Sequence, residues 1–563
     1  MATLQSKTLF FITSPRSPMK MRPEIELLAI GFTGKKWDTA TQSEYMSALI
    51  NDPNFEGTGK YADLAFGARD RINRGPKALG LVDISPTIKL TDAGKAFLDD
   101  ELSEEALLRQ LLKFQLPSPF HKEPDALKGV FFVKPYLEMF RFIRTLENVS
   151  FDELMLFGMQ LTHFNKFDDV VKKVKVFRTE KLNAKGRYKE FIGKYKEAVV
   201  REIYADEILS GSVKTRESKD ESVDKFIKTK ISNLRDYTDA CIRYLRATGL
   251  VSISQKGRTL SILPEKLEEV DYLLKTIKRE PENIDDEIAY KAVLFSDSLP
   301  ILYTDNRANL ERAVTTEGLL DNETAKTASM NELKKLVRNS IKKRKQAIID
   351  NEVAILKSYE PYNDVMQVFD EIDNDGYYDV PLMLEWNTWR AMTMLDGGDI
   401  KANLKFDDSG QPMSTASGNT SDIVCDYGSF ALSVEVTMQS GQRQYEMEGE
   451  PVSRHLAKLK KDENKTAYCF FIAPTINDSC IAHFYTLHLT NIAYYGGKSV
   501  IIPIELSVFK DMVKQSKEAG FVPTPEHVES LCRYSMEVAE KATDEKEWYS
   551  VMRERELNWV ATV

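Results

Sequence analysis

Residues 421–437 constrain the fold more than any other stretch. Strand-like residues run up to Gly428-Ser429 and away from it again, and a Gly-Ser pair suits the two-residue turn of a β-hairpin. In that hairpin every residue has a fixed partner, and Asp422 stands directly opposite Glu435. Directly opposed residues have Cβ atoms about 5 Å apart. Two carboxylates that close, one on an otherwise apolar strand, repel each other unless a cation neutralises them. Mg²⁺ prefers one or two carboxylates together with waters and phosphate oxygens. An acid pair of this kind is therefore suited to holding Mg²⁺ against a phosphodiester.

Three more groups are candidates for the same site. Glu385 lies in Leu384–Trp389, an apolar, aromatic helical run where an acid needs a reason. Glu448 precedes Pro451, a residue suited to opening a helix, and Arg454 and His455 follow on that helix. The plainer alternatives are surface carboxylates for Glu385 and Glu448 and a structural histidine for His455. Around these residues the chain alternates strand-like runs (431–437, 468–473, 499–504) with helical ones (452–461, 508–519, 526–542). That pattern belongs to a mixed sheet flanked by helices.

The rest of the chain reads differently. With 563 residues it is too long for one core. Its organisation is expected to be 1–120, 121–283, a charged helical linker over 284–360, and the α/β domain over 361–563. Residues 78–95 read as helix end, short strand, turn, short strand and helix start, with Gly80 ending one helix and Thr91 capping the next. Residues 244–263 repeat the idea, with Lys256-Gly257 as the turn. Both layouts are winged-helix-like, a design used for nucleic acid and for protein contacts alike. An Arg-rich helical stretch precedes each. Arg69, Arg71 and Arg74 lie in the first, and Arg235 and Arg243 in the second. Arginine is shaped to grip guanine or phosphate with two N–H groups, although any one of these can equally be an ordinary ion pair.

The net charge of −9 conceals segregation. Residues 172–196 hold ten Lys/Arg against two Glu, residues 334–345 hold seven Lys/Arg and no acid, and residues 361–385 hold seven Asp/Glu and no base. Such runs are either solvated helix faces or places that attract and repel phosphate. Five cysteines with no closely spaced pair argue against a disulfide framework and a zinc site, and suit a reducing cytoplasm. No apolar run is long enough for a membrane span and no signal peptide is expected. Gly496-Gly497-Lys498-Ser499 lacks the first glycine of a phosphate-binding loop, since position 492 is Ile492. Asp373-Asn374-Asp375-Gly376 lacks the closing Glu of a calcium loop, since position 382 is Leu382.

Several ordered motifs resemble the AlwI-like type IIS restriction endonuclease group, which includes the MlyI and PleI endonucleases and the BstNBI nicking endonuclease. In the C-terminal third they are Asp422…Glu435-Val436-Thr437, Glu448-x-Glu450-Pro451-Val452-x-Arg454-His455 and Phe470-Phe471-Ile472-Ala473-Pro474. In the N-terminal half they are Ser14-Pro15-Arg16-Ser17-Pro18, Ala68-Arg69-Asp70-Arg71 and Gln115-x-Pro117-Ser118, which adds Arg16 to the candidate DNA contacts. The resemblance implies an α+β multidomain chain. Its parts would be a DNA-recognition half with winged-helix elements, a helical linker and a PD-(D/E)xK-type nuclease domain. It implies Mg²⁺ as cofactor, double-stranded DNA as partner and cleavage a few base pairs to one side of a short asymmetric site. The N-terminal motifs sit closer to members that read GAGTC than to AlwI, which reads GGATC. The family's acids map onto Glu385, Asp422, Glu435 and Glu448, with Asp422, Glu435 and Glu448 as the metal ligands and His455 beside them. Thr437 stands where the wider superfamily has a lysine, so Lys458, His455 or a second metal must replace it. A monomer is expected that pairs transiently through its cleavage domain in a bacterial cytoplasm, with a separate methyltransferase protecting the host. Two alternatives stay open: a nicking enzyme of the same group, and a winged-helix DNA-binding regulator with an inert C-terminal domain.

Overall fold

The computed structural model describes residues 2–562 apart from 4–6, 53–54, 56–60, 185–186, 255–258, 375–376, 396–397, 417–419 and 521–524. The expected turn at Lys256-Gly257 and the pair Asp375-Gly376 lie outside the described residues. The chain divides into two compact units, Met1–Val337 and Arg338–Val563, within the long helix Met330–Lys357. Together they form a mixed α+β protein. Among the described residues no helix is long and apolar enough to cross a membrane.

In the first unit, helices Met21–Phe32, Thr39–Ile50 and Leu64–Arg74 precede a short antiparallel ribbon, Val82–Asp83 with Lys89–Leu90. Thr91 then caps helix Asp92–Leu98 by accepting the Gly94 N–H, as its position suggests. The preceding helix stops at Arg74, six residues before the glycine expected to end it. Gly80 instead holds a left-handed turn, φ +70°, and a Cβ there would lie 2.4 Å from Leu294 Cγ. A second ribbon, Val251–Ile253 with Thr259–Ile262, follows helix Val223–Arg246 and gains a third antiparallel strand, Asn148–Ser150.

Helix Ser103–Lys113 ties distant parts of this unit together through buried polar side chains. Gln110 Nε2 donates to the Leu294 carbonyl at 2.8 Å, and Lys113 Nζ to the carbonyls of Leu294 and Ser296 at 3.1 and 2.7 Å. Arg109 reaches the Pro300 carbonyl at 2.5 Å and Asp305 at 2.9 Å. Residues 287–337, read from sequence as part of a linker, are helical and include these docking points.

In the second unit, α1 (Tyr362–Asp373) and α2 (Val380–Met394) lead into a five-stranded sheet. Its strands are β1 (Asp399–Ala402), β2 (Ile423–Asp426), β3 (Phe430–Val436), β4 (Thr466–Ala473) and β5 (Ile501–Glu505). They lie side by side in chain order; β1, β2 and β3 pair antiparallel, and β3, β4 and β5 parallel. A parallel neighbour needs a crossover. Here α3 (Gly441–Glu463) connects β3 to β4, and α4 (Asp478–Leu489) connects β4 to β5. The helices α5 (Leu506–Glu518), α6 (Pro525–Lys541) and α7 (Glu545–Glu556) complete the core.

The hairpin register is the one read from the turn: Ile423 pairs with Val434 and Asp426 with Ala431. Gly428 has φ +83°, which is why glycine opens this two-residue loop. The helix after β3 corrects an expectation. It begins at Gly441 rather than at Pro451, which lies inside it. An internal proline removes one backbone N–H and costs roughly 3 kcal/mol. Buried Val452, Leu456 and Leu459 hold the helix to the core despite that cost.

Candidate active site and nucleic-acid interface

β3 is the middle strand of the sheet and is apolar along most of its length, so Glu435 near its C-terminal end is an acid in the core, 5% exposed. Asp422 precedes β2, where the backbone ladder stops, and its Oδ2 accepts the Val436 N–H at 2.8 Å. Glu385 on α2 is 3% exposed and accepts the Ala416 N–H at 2.9 Å. Glu448 on α3 accepts the Thr437 hydroxyl at 2.7 Å. His455, two turns further along α3, puts Nδ1 3.1 Å from Glu435 Oε1. Sequence elements more than sixty residues apart thus converge at one end of the central strand.

Their electrostatics record that convergence. Burial pushes the Glu385 carboxyl well above its ordinary range, and the charges of Asp422 and Glu435 push it further. Burial does the same to Glu435, reinforced by Glu448 and opposed by hydrogen bonds from the Ser421 hydroxyl and the Asp422 N–H. Burial and the neighbouring Arg454 lower His455 to about 4, so its ring is neutral near pH 7. Ser421 and Thr437 are participants that a search for acids alone passes over. The signal for Thr437 was its place in the lysine position.

Asp422, Glu435 and Glu448 are not drawn together into a finished ligand set. Among the described residues no three His, Cys, Asp or Glu side chains form a metal-holding group. Each acid has an oxygen engaged locally, by Val436, His455 or Thr437. The donor chemistry nonetheless fits a hard divalent cation: the acids offer only oxygen ligands, and Glu435, with Glu385 beside it, is raised first by burial and further by neighbouring carboxylates. All five cysteines are buried thiols. Lys458, on the exposed side of α3, pairs with Asp462 at 3.8 Å.

The candidate arginines of the first unit divide into two kinds. Arg71 turns inward: it pairs with Glu24, which is 1% exposed, donates to the Tyr61 hydroxyl at 3.0 Å, and lies over the Phe55 ring. Arg69 is partly turned in as well, with Nη1 2.7 Å from Gln42 Oε1. Arg74, by contrast, is half-exposed and pairs along its own helix, 2.7 Å from Asp70. Arg16 meets Asp236 at 3.0 Å and Asp239 at 3.8 Å on helix Val223–Arg246, where Arg243 meets Asp239 at 3.1 Å. Arg235 is exposed on the same helix. Met21 Sδ lies beside Gly75 and 3.9 Å from the Tyr244 hydroxyl, so the Arg-rich stretches that are distant in sequence lie together. Part of the basic run 172–196 is taken up internally, with Lys173, Arg178 and Lys196 paired to Glu202, Glu153 and Asp152.

Comparison with known proteins gives this arrangement a family. No curated protein matches. Among solved structures, the small subunit R.BspD6I2 of the heterodimeric restriction endonuclease R.BspD6I matches at 25% identity over 34% of this chain and 98% of that one, with a TM-score of 0.30. The BpuJ1 endonuclease binding domain, in complex with pyrene- and phenanthrene-modified DNA, matches at 12% identity over 52% of this chain and 100% of that one, with a TM-score of 0.34. Similarities that slight carry no weight. The family model for the AlwI restriction endonuclease, however, matches residues 77–512, well over half of the chain and including Glu385, Asp422, Glu435 and Glu448. The chain belongs to the AlwI restriction endonuclease family and is a nuclease that acts on DNA.

Proposed function

We propose that this restriction endonuclease is of type IIS, reading a short asymmetric site, GAGTC, and hydrolysing phosphodiester bonds a few base pairs to one side. The observation that carries this reading is the convergence of Glu385, Asp422, Glu435 and Glu448 at the end of β3, in the unit that does not hold the arginine surface. Acids and arginines on separate units favour cutting away from the sequence that is read. The β-sheet with its acid-bearing hairpin is of PD-(D/E)xK type, and the two helix-and-ribbon elements of the first unit are its winged helices. Arg16, Arg69, Arg74, Arg235 and Arg243 are the candidate DNA contacts, while Arg71 is turned inward onto Glu24 and Tyr61.

Asp422, Glu435 and Glu448 are the proposed metal ligands, with Glu385 beside them. Mg²⁺ bound there would neutralise the acids and offset the charge that builds on the phosphate during hydrolysis. The protein's own groups do the positioning. Ser421 and His455 orient Glu435, the Ala416 N–H orients Glu385, and Thr437 uses its hydroxyl to fix Glu448 in place of a lysine's charge. One chain has one such acid cluster among the described residues, so cutting both strands requires transient pairing of two cleavage domains. A chain unable to pair is a nicking enzyme. A separate methyltransferase protects the host DNA.

Incubating plasmid with the protein and Mg²⁺ tests this. Linear product with ends at a fixed offset from one site is expected. Nicked circles alone favour the nicking enzyme, and unchanged plasmid overturns the nuclease assignment in favour of a DNA-binding regulator.

A further inference from the structure

Arg16 lies outside any helix, yet helix Val223–Arg246 meets both of its terminal nitrogens, one through a hydrogen bond to Asp236, 220 positions away, and the other through a longer ion pair to Asp239. Nη2 is 3.0 Å from Asp236 Oδ1 and Nη1 is 3.8 Å from Asp239 Oδ2. Asp236 and Asp239 are three residues apart, so their carboxylates rise from one helix face. Asp239 Oδ2 also meets Arg243 Nε at 3.1 Å. The backbone beneath Arg16 is fixed too. The Pro15 carbonyl accepts the hydroxyl of buried Tyr244 at 3.1 Å, and a Cβ at Gly75 would stand 3.6 Å from the Ser14 carbonyl. Arg16 nevertheless keeps 51% of its side chain exposed.

This arrangement suits orientation better than attraction. Two carboxylates beside Arg16 and Arg243 cancel the charge that a phosphate grip would use. A guanidinium carries more N–H groups than two carboxylates occupy, so donors remain to face outward. A guanidinium held in one plane with donors to spare is what a two-pronged contact to guanine O6 and N7 requires.

We infer that Arg16 reads a base of the DNA site, and that Asp236 and Asp239 are positioning residues that clamp its guanidinium for that contact. The inference rests on the reading of the first unit as the DNA-recognition half. It is tested by equilibrium binding of the full chain, with Ca²⁺ replacing Mg²⁺, to a duplex carrying the site mapped by cleavage and to one with that site scrambled. Arg16→Ala should weaken binding to the site duplex roughly ten- to hundred-fold and leave the scrambled duplex nearly unchanged. Asp236→Asn with Asp239→Asn removes two negative charges. If the acids only repel DNA, both duplexes bind more tightly by the same factor, and the clamp is overturned. If they position Arg16, the site duplex binds more weakly while the scrambled one does not, and adding Arg16→Ala costs nothing more. A further loss in that triple variant would mean that the acids read bases themselves, which also overturns the clamp. Arg16→Lys, which keeps the charge but loses the fork, should not restore discrimination; full restoration would count against it. Unchanged thermal unfolding of each variant separates these effects from misfolding. A wild-type chain that cannot tell the duplexes apart overturns the recognition reading itself, and the clamp with it.

Discussion

Replacing Glu435 with Gln should make the second unit more stable while abolishing cleavage. Glu435 is buried on the central strand, and burial and the Glu448 charge both raise its pKa. In the fold it therefore holds a proton that the unfolded chain releases near its ordinary value of 4.5. As pH rises above that value the unfolded state gains stability relative to the native one, and the loss ends only at the raised native pKa. The slope is at most about 1.4 kcal/mol per pH unit. Between about pH 5 and about pH 8 the ceiling is thus about 4 kcal/mol. Gln keeps an oxygen to accept from Ser421 and Asp422 and carries no charge, so Glu435→Gln should be free of that slope. For a unit of this size each kcal/mol moves the melting temperature by roughly 2–4 °C. The assay is thermal unfolding in EDTA across that pH range, repeated with Mg²⁺. The gap between wild type and variant should widen with pH in EDTA and narrow with Mg²⁺, which neutralises the acids of the wild type. A variant less stable than wild type at every pH, or one that still cuts plasmid, would refute the reasoning.

Asp422→Asn should leave binding to the site duplex intact and stop cleavage, because the Asn oxygen can still accept from Val436 while the charge is gone; gel shift and plasmid cutting on the same preparation check it. Arg71→Ala should cost about 3–5 kcal/mol of stability in urea, since Glu24 is left buried without its counter-charge; the pairing of Arg71→Met with Glu24→Leu should recover most of it. Burial lowers His488 to about 4 from 6.5, so as pH falls between those values the unfolded chain takes up a proton that the fold refuses. Stability should drop by up to about 3 kcal/mol over that window, and His488→Gln should remove that part of the acid slope in urea titrations.

Where one physical rule dominated, the sequence was readable. The hairpin around Gly428 is local, so turn geometry alone fixed which residue faced which, and Phe430–Val436 and Thr466–Ala473 announce themselves as apolar strands. β1 does not: Asp399, Ile400, Lys401 and Ala402 form a mixed edge strand whose identity comes from pairing with β2. α3 was cut short because Pro451 read as its start, whereas packing of Val452 and Leu456 carries the helix through. Glu385 and Glu435 could be picked out because each is anomalous among apolar neighbours, and Asp422 because the hairpin sets it opposite Glu435. How their oxygens are engaged could not, since it depends on Ala416, Ser421 and Thr437, all ordinary residues by type. Arg71 and Arg16 show the same limit. Composition marks both as cationic, but only the fold sets one against Glu24 and the other against Asp236.

The buried grip of helix Ser103–Lys113 on residues 294–305 sets where this chain can be severed for exchange with another nuclease. A cut after residue 283, at the edge of the second ribbon's surroundings, would take both carbonyls from Lys113, the Leu294 carbonyl from Gln110, and the Pro300 carbonyl and Asp305 from Arg109, leaving Gln110 with Leu79 and Arg109 with Glu105. Unsatisfied buried polar groups cost roughly 1–3 kcal/mol each, and more when charged. Several at once approach the whole stability of a domain, about 5–15 kcal/mol. Chimeras should therefore be joined beyond Val337, within the solvent-facing part of the long helix, so that the donor half travels with the segment that closes it.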